Sequence, residues 1–157
     1  MKKLINPYIG KNGYNCFGCA PTNPIGLQLD FWEDGEDIIT EWLPSANYQG
    51  WINTLHGGII STLMDEVAGW VVSRKLQTAG MTTSLNVKFM KPVFTTEPKI
   101  TVRAHITNQR RNIITIHITL LNSRNEVCDE AEAIYFAFSP EKAKEMGFSG
   151  CYTEEEK

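Results

Sequence analysis

Long apolar runs are missing from this chain. No stretch of its 157 residues approaches the roughly 18 consecutive apolar positions that a membrane helix needs. The opening Met1-Lys2-Lys3-Leu4-Ile5-Asn6-Pro7 lacks the apolar segment of a secretory signal, so a cytoplasmic location is expected. Positive charge is not in excess either. Fifteen Lys and Arg against 18 Asp and Glu leave a net charge of −3, which argues against a nucleic-acid binder. Histidine is scarce, and His56, His105 and His117 do not cluster as metal ligands in the sequence. Four cysteines stand at 16, 19, 128 and 151. Cys16-x-x-Cys19 has zinc or redox spacing, but a structural zinc usually takes a second close pair, and Cys128 and Cys151 are not one. No thioredoxin-like βαβ pattern surrounds the motif. Ordinary reduced thiols are therefore expected, with no metal and no redox cofactor.

Internal repeats and low-complexity tracts are absent too, so residues 1–157 read as one domain, long enough to bury a core. Residues 1–24, rich in Gly, Asn and Pro, read as an irregular lead-in that starts with a short helical turn. Leu27 to Trp32 alternates apolar and polar, Glu33-Asp34-Gly35-Glu36 is turn chemistry, and Ile38 to Leu43 returns: a hairpin. Residues 44–55 form a Pro-led loop. A helix is expected at 57–76, stopped by Ala79-Gly80. Strands follow at 81–91, 98–108, 110–122 and 127–138, and a partly disordered tail at 140–157. This order describes an α+β chain, an antiparallel sheet wrapped on one helix.

The helix opens oddly, on His56-Gly57-Gly58, and carries Asp65-Glu66 in an apolar segment. At roughly 100° per residue, Ile59, Ile60, Leu63, Met64, Val67, Trp70 and Val71 share one face. Asp65 points the other way, with Ser61, Thr62, Gly69 and Val72, while Glu66 lies on the flank. Small residues there suggest a close neighbour, either a partner chain or a ligand. Asp65 is then a desolvated base in a crevice or a plain surface acid. The first amides of a helix have no intrahelical partners, so Gly57 and Gly58 either build an oxyanion site or ease a tight entry. Eight residues of helix rise about 12 Å, too far for Gly57 and Asp65 of one helix to meet on one carbon. Two antiparallel copies in a homodimer would bring them together.

His56-Gly57-Gly58-Ile59-Ile60-Ser61-Thr62-Leu63-Met64-Asp65 resembles the H-G-G-x(6)-[DE] motif of hotdog-fold acyl-CoA thioesterases, in the branch related to phenylacetyl-CoA pathway enzymes. Cys16-Phe17-Gly18-Cys19 through Asn23-Pro24-Ile25-Gly26-Leu27 resembles the opening of several members. Met81 to Pro92, with Asn86-Val87-Lys88-Phe89-Met90-Lys91-Pro92, resembles the strand after the helix. The likeness spans about 14–138, and the three motifs come in the family's order. It implies a hotdog fold, dimers or tetramers, and hydrolysis of an acyl-CoA thioester, with coenzyme A as part of the substrate rather than a cofactor. By this resemblance Gly57 supplies the oxyanion N–H and Asp65 of the facing subunit acts as general base or nucleophile. Thr82 positions water, and His56 holds the turn near the thioester without serving as base. Gly58 would line the same substrate site. Many relatives carry Asn or Gln six residues before the His; here that residue is Gly50, and Gln49 or Asn53 are the substitutes.

On a regular strand, Thr82 and Ser84 point to one side and Leu85, Val87 and Phe89 to the other. Lys88, Lys91, Arg103, Arg110 and Arg111 are the candidate cations for the anionic CoA tail, with Arg110-Arg111 at a hairpin. Trp42, Trp51 and Trp70 either line an acyl pocket or fill the core. Two rival readings stand beside the thioesterase: a hotdog hydratase or dehydratase acting on acyl thioesters, and a non-catalytic acyl-CoA-binding module.

Overall fold

The periodicities resolve into one long helix and a seven-stranded sheet in a computed structural model that describes residues 1–157. The strands are β1 (Lys2–Lys3), β2 (Trp32–Asp34), β3 (Asp37–Trp42), β4 (Gly80–Phe89), β5 (Ile100–Arg110), β6 (Ile113–Leu121) and β7 (Val127–Ala137). Helix α1 spans Gly57–Leu76, and a short α2 spans Pro140–Glu145. The sheet order is β1-β2-β3-β5-β6-β7-β4, antiparallel throughout. Strand β4 directly follows the helix yet pairs with β7, which puts it at the sheet's edge.

Helix α1 starts where expected because His56 is extended and caps it, its side chain accepting the Gly58 N–H. It ends when Gln77 turns left-handed at φ 51°, three residues before Gly80, which already belongs to β4. Arg74 and Lys75 in its last turn suit the negative end of the helix dipole. Ile60, Leu63, Met64, Val67, Ala68, Trp70, Val71 and Val72 are buried against the concave sheet. Each large side chain among them stabilises the fold by about 1.5–3 kcal/mol. Trp70 stacks on Phe31 with centroids 4.4 Å apart. Val72 thus belongs to the core rather than to the side that carries Asp65. Part of that side's close neighbour is internal: a Cβ on Gly69 would lie 3.6 Å from the Tyr135 hydroxyl of β7.

Three regions depart from the sequence expectation. The first residues form an edge strand, Lys2–Lys3, not a helical turn. The first arm of the hairpin begins only at Trp32, because Gln28 takes φ 53° and breaks the extended run. Leu27 and Leu29 instead donate their N–H groups to the carbonyls of Phe17 and Gly18, docking the segment on the Cys16–Cys19 loop. The tail is ordered. Arg74 binds the Cys151 carbonyl and Glu156, Gln77 bonds Cys151 through both N–H and C=O, and Leu4 bridges Thr153. Burial leaves Cys151 and Thr153 almost without solvent contact. No helix is long and apolar enough to cross a membrane.

Candidate active site on helix α1

Asp65 sits at the middle of α1, partly exposed, and two hydroxyls converge on it. Thr82 Oγ1 donates to Asp65 Oδ1 at 2.7 Å, and Tyr135 Oη donates to the same oxygen at 2.6 Å. Tyr135 also lies 2.6 Å from the Asp65 carbonyl oxygen, which ties the ring to the helix backbone. Oδ2 has no partner among the chain's hydrogen bonds and is the oxygen left to face a substrate or water. Burial, with the Asp65 charge next, raises the Tyr135 phenol well above its ordinary range, so it stays a donor.

A bulge makes this geometry possible. The β4–β7 register runs Thr82↔Tyr135 and then Ser84↔Ile134, so Thr83 is the extra residue. A regular strand would point Thr82 with Ser84, away from the helix. The bulge shifts the phase by one, and Thr82 joins Tyr135 on the helix side. The expected grouping of Thr82 with Ser84 is therefore wrong, for a reason that periodicity does not encode. Tyr135 itself is a residue that sequence reasoning missed. Its signal was faint: Ala131, Ala133, Tyr135 and Ala137 alternate along β7, one large polar ring among three small inward-facing alanines.

The helix entrance is built separately. His56 Nδ1 accepts the Gly58 N–H at 2.8 Å, and the His56 carbonyl accepts the Ile60 N–H at 3.0 Å. With Nδ1 committed as an acceptor, a neutral His56 ring carries its proton on Nε2 and can only donate there. A Cβ on Gly58 would press to 3.0 Å from Nδ1, and one on Gly50 to 3.2 Å from the His56 Cα. Gly50 is thus the residue that lets His56 approach. The Gly57 N–H has no partner in the chain, and its surroundings are open: a Cβ there would meet only Phe89, at an ordinary 3.5 Å. Gly57 opens into a cavity of about 480 Å³ lined by Trp51, His56, Ile60, Phe89 and Asp129 among others. Of the three tryptophans weighed for a pocket, Trp51 lines it, whereas Trp42 and Trp70 are core.

Asp129 beneath this cavity is a second residue missed by sequence. It is fully buried; Oδ1 accepts the Met90 N–H at 3.1 Å and Oδ2 has no partner. Burial pushes its carboxyl up to about 6. Asp65, Thr82 and Tyr135 do not line the cavity at Gly57, so within one chain the acid and the free amide stay apart.

The remaining candidates disperse. Gln49 Oε1 lies 3.4 Å from the Asn53 N–H, and its side chain borders a smaller cleft with His56 and Gly58. Asn53 turns the loop at φ 61°. Lys91 reaches the Gly57 cavity and pairs with Glu126 at 3.8 Å. Lys88 points from the far face of the sheet, among His117, Glu130 and Glu132, and does not face the cavity. Arg103 is taken by Asp34 and Asp37. Arg110 and Arg111 are exposed at the β5–β6 turn, where Arg111 has φ 57°. Glu66 lies on another flank of the helix, its Oε1 3.5 Å from the Cys16 thiol.

Residues 52–128 match the thioesterase superfamily. The chain has the hotdog fold of the solved thioesterases it resembles. No curated protein matches the sequence. Among solved structures, a thioesterase superfamily protein aligns at TM-score 0.72 and 21% identity, over 84% of this chain and 68% of its own. A thioesterase from Haemophilus influenzae aligns at TM-score 0.65 and 20% identity, covering 73% and 80%. The Escherichia coli PaaI protein of the phenylacetic acid degradation operon aligns at TM-score 0.65 and 16% identity, covering 72% and 81%. The hotdog of this chain is thus the long helix α1 packed on its seven-stranded sheet.

Proposed function

We propose that the protein is an acyl-CoA thioesterase whose site is completed by a second copy of the chain. The observation that carries this reading is the pair of features on α1: an Asp65 carboxylate fixed through one oxygen by Thr82 and Tyr135, and an unpaired Gly57 amide at the positive end of the helix dipole. Similar folds have been solved with coenzyme A, from Streptococcus pneumoniae, and with acetyl-CoA, from Streptococcus mutans. These support acyl-CoA as the substrate class.

In the proposed reaction Asp65 takes a proton from water held by Thr82, and the water oxygen attacks the thioester carbon. The facing subunit's Gly57 N–H receives the charge that develops on the carbonyl oxygen. The carbon–sulfur bond then breaks, and the coenzyme A thiolate leaves and takes up the proton. Attack by Asp65 itself is the variant of this path, with water then hydrolysing the anhydride. His56 is not the base, since its free ring nitrogen can only donate.

The exposed edge of β4 supplies the dimer surface. Met81 and Phe89 are 53% and 56% exposed there, beside the unpaired outer edge of the strand. A two-fold axis perpendicular to the sheet at that edge would pair the two β4 strands antiparallel, extend the sheet and set the two α1 helices antiparallel on one face.

Thiol release from short, medium, long and aromatic acyl-CoAs tests the activity, and Asp65→Asn should be slower by orders of magnitude. A complementation experiment tests the shared site. Gly57→Pro removes the N–H at the first helical position, where proline is tolerated and His56 is already extended. Both variants should be inactive alone. Mixed after dissociation and reassociation, half the dimers pair one of each and regain one complete site, so about a quarter of the wild-type rate should return. No recovery in verified heterodimers would rule out the shared site, and no turnover of any acyl-CoA would rule out the thioesterase.

A further inference from the structure

We propose that Cys16, Cys19 and Glu66 form a binding site for one zinc ion, which pins the N-terminal loop to the flank of helix α1. The fold brings a donor to the Cys-x-x-Cys pair from fifty residues away. The two sulfurs and a Glu66 oxygen all lie within 4.8 Å of one another. Zinc binds sulfur at about 2.3 Å and carboxylate oxygen at about 2.0–2.2 Å, so the S···O edge of a tetrahedral site is about 3.5–3.7 Å. Cys16 Sγ stands 3.5 Å from Glu66 Oε1.

The hydrogen bonds around the sulfurs suit thiolate ligands. Cys16 Sγ accepts the Cys19 N–H at 3.4 Å. Asn6 Oδ1 accepts the Tyr8 N–H, which fixes the amide so that its Nδ2 donates to Tyr14 Oη at 2.8 Å. With its lone pair engaged, Tyr14 Oη can direct its own proton at Cys19 Sγ, 2.9 Å away. Such outer contacts orient and stabilise metal-binding sulfurs. The carboxylate has a place prepared for it too. A Cβ on Gly18 would come within 2.4 Å of Glu66 Cδ, so only glycine lets Glu66 lie over the loop. No lysine or arginine pairs with Glu66. Cys16 and Glu66 are only partly buried, so a water can fill the fourth position.

This site is distinct from the Asp65 constellation, and its test needs no substrate. Reduced full-length protein is loaded with zinc, desalted and assayed for metal by mass spectrometry; a parallel sample takes Co²⁺ for absorption spectroscopy. The expected result is about one metal per chain, with the intense visible bands of tetrahedral cobalt and a thiolate-to-metal charge-transfer band. Cys16→Ser should abolish binding. Glu66→Gln and Gly18→Ala, which remove or displace the third donor, should weaken chelator-competed affinity by about tenfold or more, on the scale seen when a site's support is lost. Cys128→Ala should bind as wild type, and circular dichroism checks that each variant folds. Three results overturn the proposal: no uptake by the reduced protein, uptake indifferent to Glu66→Gln, or a protein isolated two hydrogens lighter through a Cys16–Cys19 disulfide that takes up no metal once reduced.

Discussion

Tyr135→Phe isolates one hydroxyl. The ring stays, fully packed against Gly69 and Gly80, and only the donor to Asp65 Oδ1 and to the Asp65 carbonyl is lost. A hydrogen bond to a charged group is worth about 1.5–3 kcal/mol. If that bond holds the carboxylate in its reactive orientation, its loss should lower kcat by about tenfold to a hundredfold, at 1.36 kcal/mol per decade. KM should change little, because Tyr135 lies behind the carboxylate and not in the Gly57 cavity. A merely structural hydroxyl would behave differently: it would cost about 1 kcal/mol of stability, a Tm change of about 2–4 °C at this size, and leave kcat alone. The assay is steady-state thiol release with the best acyl-CoA substrate, beside thermal unfolding. Thr82→Val and the double variant complete a cycle. Both hydroxyls act on one oxygen, so their effects should be non-additive. A folded Tyr135→Phe enzyme with wild-type kcat would refute the positioning role.

Other expectations can be checked on the same scale. Asp129 binds its proton more tightly folded, at about 6, than its ordinary 3.8, so its contribution to stability is full below about 3.8 and is lost as pH rises through about 6. Asp129→Asn should therefore gain on wild type between pH 4 and pH 7.5, by up to about 3 kcal/mol in urea unfolding; a difference that stays flat across that range would refute it. Gly58→Ala crowds His56 Nδ1 and should cost about 1 kcal/mol through the helix cap, measured as a lower Tm. Arg74→Ala strands Glu33, whose carboxylate is held low by Arg74 and Lys75, and frees the tail from Glu156 and the Cys151 carbonyl. It should destabilise by about 2–3 kcal/mol and speed proteolysis of residues 147–157; tail cleavage at the wild-type rate would count against that account.

Much of the frame was legible from local pattern alone. Helix α1 shows a 3.6-residue rhythm within a single window, and its predicted limits, 57–76, are the observed ones. Strands β4 to β7 announce themselves by alternation and turn residues. The His-Gly-Gly entrance and the position of Asp65 were equally readable, because a helix has a fixed rise. That rise also says that Gly57 and Asp65 of one copy cannot meet, and in the structure they stay apart.

Tertiary structure decided what faces what. One inserted residue, Thr83, turned Thr82 from the outer face of the sheet to the helix side, and a bulge leaves no periodic trace in the sequence. Tyr135 reaches Asp65 only because β7 is the strand paired beside β4, a pairing set by sheet order and not by neighbourhood in the chain. Lys88 fell on the far face for the same phase reason that put Leu85 and Val87 inside. The tail was misjudged because its order comes from Arg74 and Gln77, more than seventy residues upstream. Cys16-x-x-Cys19 meets Glu66, fifty residues on, only because folding lays the N-terminal loop on the flank of α1. Sequence windows carry the period of an element; which faces of those elements meet is fixed by long-range packing, and the chemistry of this protein lies at those meetings.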